Sequence, residues 1–132
     1  MNTPESNMKY CCDKWGFTPR RLPDTSPLPY AIFRAGGHFN GFAMSFVLDE
    51  KKMARTGYFE IGAIELRNAM EMAFFHNESM VVVVKWSDSL SWWRWQPGDP
   101  YMGFGVSWGK FEGKQTLVVK LPHDKFVEVR KV

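Results

Sequence analysis

The sequence predicts an α+β fold: a single domain in which an antiparallel, strongly bent sheet or half-barrel packs on one main helix. Three observations carry that prediction. One stretch alone, about residues 60–76, repeats its apolar residues at helical spacing. Short runs with a period of two fill most of the remainder. The links between successive runs are short and turn-like, which joins neighbours antiparallel. At 132 residues the chain has the length of one domain, and at 45% hydrophobic and 23% charged it has an ordinary globular composition.

Residues 1–29 read as a proline-rich N-terminal arm. Pro4, Pro19, Pro23, Pro27 and Pro29 argue against a continuous helix or a central strand there. The single α+β domain then covers residues 30–132. Gly36-Gly37, between strands at 31–34 and 39–48, is a hairpin signal. On the second of these strands Phe42, Met44, Phe46 and Leu48 share one face, and Gly41, Ala43, Ser45 and Val47 share the other. At helical spacing Phe59, Ala63, Leu66, Met70, Ala73 and Phe74 form a core stripe, with Glu60, Arg67 and Glu71 on another face. Met80 to Trp86 contains VVVV, suited to a strand buried on both faces. Further strands follow at about 91–96, 101–111, 115–121 and 126–131, linked by PGDP, EGK and PHDK.

The chain also carries an internal echo. Residues 28–46 (LPYAIFRAGGHFNGFAMSF) align without a gap on residues 90–108 (LSWWRWQPGDPYMGFGVSW). Gly36 meets Gly98, Phe33 meets Trp95 and Phe46 meets Trp108. This marks a candidate duplicated β-hairpin. Its register would set Tyr30 against Ala43 and Ile32 against Gly41, then Trp92 against Gly105 and Arg94 against Gly103. Where the first copy has Ile32 the second has Arg94, so the second copy is the one adapted to meet water or a partner.

That second copy is the candidate binding site. Trp92, Trp93, Arg94, Trp95, Gln96, Tyr101, Trp108 and Lys110 are residue types rich in binding hot spots. Alternation sends Trp92, Arg94 and Gln96 one way and Trp93 and Trp95 the other, so one set fills the core. The leading expectation is a non-enzymatic protein that docks a protein or nucleoprotein partner and acts as inhibitor or adaptor, in the style of a phage or mobile-element accessory protein. The alternative is binding of single-stranded nucleic acid, where bases stack on aromatic rings and cations meet phosphate. A second alternative is a small metal-independent ribonuclease, with His38 and His123 as acid and base and Lys110 or Arg94 steadying the phosphate.

Catalytic and metal-binding motifs are otherwise wanting. The three histidines fit no zinc spacing, and no nucleophile elbow or phosphate-binding loop is present. No cofactor, metal or catalytic residue is therefore expected. The net charge of +3 and pI of 8.9 permit an anionic partner without requiring one. No apolar run is long enough to span a membrane. The polar N-terminus lacks a signal peptide, and the adjacent Cys11 and Cys12 suit a reducing cytoplasm. A monomer or a homodimer paired through exposed strand edges is equally consistent.

Overall fold

A computed structural model describes residues 3–48, 57–99 and 105–131. In chain order the elements are α1 (Pro4–Trp15), β1 (Phe17–Arg21), β2 (Tyr30–Arg34), β3 (Phe39–Val47), β4 (Tyr58–Gly62), α2 (Ala63–Phe75), β5 (Met80–Lys85), β6 (Ser89–Trp95), β7 (Val106–Phe111), β8 (Lys114–Pro122) and β9 (Val127–Lys131). The fold is α+β. Six strands form one sheet in the order β1-β2-β3-β5-β6-β9, and three form a second in the order β4-β8-β7.

The large sheet is mixed, where the sequence predicts purely antiparallel pairing. β3 and β5 run parallel, with β4 and α2 in the crossover between them. A parallel pair needs such a crossover. β5 lies at the centre, and Val82, Val83 and Val84 are fully buried. Two packed layers explain this. On one face α2 and the small sheet enclose Phe42, Met44, Phe59, Ile61, Leu66, Met70, Val82, Val84 and Trp86. On the other, α1 presses Met8, Cys11 and Cys12 onto Tyr30, Ile32, Ala43, Val83 and Leu90.

The extended arm expected over residues 1–29 is instead a helix followed by an edge strand. Pro4 stands at the first helical position, where its missing N–H costs nothing. Thr3 caps the helix: its Oγ1 accepts the Ser6 N–H at 3.0 Å, and Ser6 Oγ accepts the Thr3 N–H at 3.1 Å. Gly16, at φ 78°, closes it. The remaining prolines all follow that stop. The second helix is shorter than predicted, because Tyr58–Gly62 is strand β4.

The duplicated hairpin exists once. β2 and β3 pair antiparallel with Tyr30 against Ala43, but the register slips between Ala31 and Phe33, so Phe33 faces Phe39. Gly41, at φ 124°, sits within the slip, and Ile32 is not paired with it. Among the described residues the second copy forms no hairpin, and residues 101–104 of its expected second strand, including Gly103, expected opposite Arg94, lie outside them. β6 pairs with β5 and β9, setting Trp92 against Val83 and Val127, whereas β7 joins β8 in the other sheet. The central position of β5 accounts for this: its second edge is filled by β6, and β9 takes the place the echo assigned to residues 101–108.

Candidate nucleic-acid interface

A cleft of about 570 Å3 opens on the α1 side of the large sheet. Its floor is Ile32, Val81 and Trp92, from β2, β5 and β6. Trp15, the last residue of α1, forms one wall. Its indole meets that of Trp92 edge to face, centroids 5.7 Å apart at 76°. The Gly16 cap ends the helix there, and Phe17 follows on β1 as a further aromatic wall.

Two arginines reach the cleft from different strands. Arg34 ends β2, and the turn beyond it brings Asn40 alongside: Arg34 Nε donates to Asn40 Oδ1 at 2.8 Å. Gly36 and Gly37, at φ 91° and 85°, shape that turn. Arg94 lies near the end of β6, and its Nη2 donates to Gln96 Oε1 at 3.1 Å, two residues along the same face. Gln96 is fixed in turn, because its N–H donates to Asp99 Oδ2 at 3.0 Å while Asp99 N–H donates to the Gln96 carbonyl.

The opposite lip is residues 77–79. Asn77, at φ 51°, ends α2, with its N–H on the Phe74 carbonyl and the Glu78 N–H on the Ala73 carbonyl. Ser79 then packs against Gly41, where a Cβ would lie 2.7 Å from the Ser79 carbonyl oxygen. Glu78 is the carboxylate lining this cleft among the described residues. Neither Arg34 nor Arg94 makes an ion pair among them.

Of the residues singled out in the sequence, Trp92, Arg94 and Gln96 line the cleft. Trp93 packs half-buried against the α2-side core, and Trp95 is only 2% exposed within it. Trp108 (69% exposed) and Lys110 stand on β7, in the small sheet and away from the cleft lining. Tyr101 lies outside the described residues. His38 is exposed on the β2–β3 turn, and His123 follows β8 with Nδ1 3.3 Å from the Gly57 carbonyl. Neither lines the cleft with Arg94, so the acid–base arrangement of the ribonuclease alternative is not assembled there. Among the described residues, no group of three His, Cys, Asp or Glu side chains could hold a metal ion, and no helix is long and apolar enough to cross a membrane.

Trp15, Arg34 and Asn40 do not stand out in the sequence pattern. A signal existed for the first: Thr3-Pro4 at the start and Gly16 at the end frame a capped helix that places Trp15 on its last turn. For the other two, the cue is their position flanking a glycine turn, where two ends of a hairpin meet.

No protein-family model matches the chain, and no curated protein does. Among solved structures it is similar to the Holliday junction resolvase Hjc of Archaeoglobus fulgidus, an archaeal hyperthermophile. The TM-score is 0.59 at 11% identity, over 96% of this chain and 88% of that one. At this identity the likeness shows a shared fold. The expectation of a non-enzymatic inhibitor or adaptor docked on a protein or nucleoprotein partner is not upheld: a solved structure that shares this fold is a Holliday junction resolvase. Among the described residues the hairpin meant to carry that docking does not form, and its Trp95 is core.

Proposed function

We propose that this chain binds single-stranded nucleic acid in the cleft between α1 and the large sheet. One observation carries the reading: two guanidiniums that have no carboxylate partner among the described residues share a cleft with two indoles. Phosphate oxygens suit the guanidiniums, and an unstacked base suits an aromatic wall. The cleft volume falls in the usual range for small-molecule sites, which admits an unpaired nucleotide and leaves a duplex outside. The resolvase neighbour supports a nucleic-acid partner. A cytoplasmic setting belongs to the same reading and accords with two buried free thiols.

The test is binding of a fluorescent thymidine oligonucleotide, followed by anisotropy across a salt series. Wild type should bind, and its affinity should fall steeply as salt rises. Replacing Arg34 and Arg94 together with alanine should lower the slope of log affinity against log salt by about 1.4, roughly 0.7 for each single-strand phosphate left without its guanidinium. Trp92→Ala should cost about tenfold or more, the loss of one stacked base. Binding that ignores salt, or that survives all three substitutions, would sink the proposal. Stronger binding to a duplex or a four-way junction than to the oligonucleotide would reject the single-strand preference.

A further inference from the structure

We infer that Asn40 and Gln96 are positioning residues, which hold Arg34 and Arg94 as two phosphate grips that make no ion pair among the described residues. This rests on the nucleic-acid reading above and refines it. The same arrangement occurs twice at one cleft, on the β2–β3 hairpin and on β6. On the β2–β3 hairpin an amide oxygen holds Arg34 by its Nε at 2.8 Å, which leaves both terminal nitrogens to face a ligand. On β6 an amide oxygen holds Arg94 by its Nη2 at 3.1 Å.

The choice of an amide matters. A guanidinium that is unheld sweeps many rotamers, and ordering it on the ligand costs affinity. A carboxylate in the same place would hold it equally well but would cancel its charge. An amide orients without neutralising. With its oxygen turned to the arginine, the amide still has its two N–H donors to offer a ligand. The polar edge around Arg34, Asn40, Arg94 and Gln96 therefore presents donors, matched to an anion rich in acceptors. Hydrogen bonds between such exposed side chains add little to folding, so stability does not account for the pattern.

Asn40→Asp and Gln96→Glu test this, since each keeps the shape and adds one negative charge beside an arginine. The probe is the same thymidine oligonucleotide, and thermal melting is read in parallel. Each acidic variant should weaken binding about tenfold at low salt and lower the salt slope by about 0.7, as if one phosphate were no longer gripped. Asn40→Ala and Gln96→Ala remove the brace but leave the charge. They should weaken binding about two- to threefold, with the slope unchanged. The inference fails if wild type binds with steep salt dependence and the acidic variants bind just as well. It fails too if acidic and alanine variants lose the same affinity with the same slope. If wild type itself does not bind the oligonucleotide, the proposed function falls, and this inference with it.

Discussion

Cys11 and Cys12 are neighbours on α1, and both are fully buried against the large sheet. Burial pushes the Cys11 thiol from an ordinary 9.0 up to about 12, with the adjacent Cys12 adding to the rise. Burial likewise pushes Cys12 up to about 11, helped by Asp13. A thiol this hard to ionise is a poor nucleophile. Both cysteines should therefore resist a chromogenic disulfide reagent at about pH 8 in the folded protein and react at once in denaturant. Prompt reaction of the native protein would contradict the burial. The same shifts set an alkaline limit. The unfolded thiols release protons near 9, while the folded ones keep them until about 11 and 12. Between those values the unfolded state binds fewer protons, so stability falls as pH rises. The melting midpoint should drop through this window, and less steeply in Cys12→Ala. The sequence made the pair visible as reduced thiols. It could not say that they are core, because that depends on the helix around them.

Helices and strands were legible to different degrees, and the reason is local. α2 and the VVVV strand announce themselves by period: Leu66, Met70, Ala73 and Val82 to Val84 are core, although Phe74, which the period also assigns to the core, is 61% exposed. α1 was masked by Pro4 and by the later prolines, although its cap signals are plain once read residue by residue. β6 showed its alternation, and Trp92, Arg94 and Gln96 share the cleft. Its partner strand could not be read, because an aromatic-rich strand is suited to several neighbours and only the packed sheet selects β5 and β9. The β3–β5 contact is where the hairpin and the lip of the cleft meet. Phe42 N–H donates to the Ser79 carbonyl at 2.9 Å, and Gly41 beside it leaves no room for a Cβ. Gly41→Ala would force both a strained φ and a clash with backbone. It should destabilise the protein by roughly 1–3 kcal/mol in denaturant unfolding. It should also displace Ser79, so a variant that folds would bind the oligonucleotide more weakly. A change below about 0.5 kcal/mol, the usual range of a surface substitution, would mean that the close approach relaxes freely.

Across the whole molecule the two faces of the large sheet are unequal. One is sealed by α2 and the three-stranded sheet together, the other by α1. α1 is a single helix of 12 residues, and an isolated helix of that length is marginal in water. Its place depends on docking Met8, Cys11 and Cys12 onto β2, β3, β5 and β6. Layers held this way open below the free energy of global unfolding. The cleft wall at Trp15 is carried by this same helix, so binding and docking are linked: a ligand held between Trp15 and the sheet stabilises α1 by mass action. Amide hydrogen exchange reads both halves of this argument. Without ligand, amides of α1 should exchange faster than those of β5, which lies at the centre between both layers. With the thymidine oligonucleotide, protection should rise in α1 while β5 changes little. Equal exchange of α1 and β5 in the free protein would show one cooperative unit. Protection confined to β7 and β8, around Trp108 and Lys110, would move the binding surface to the small sheet and away from the α1 cleft.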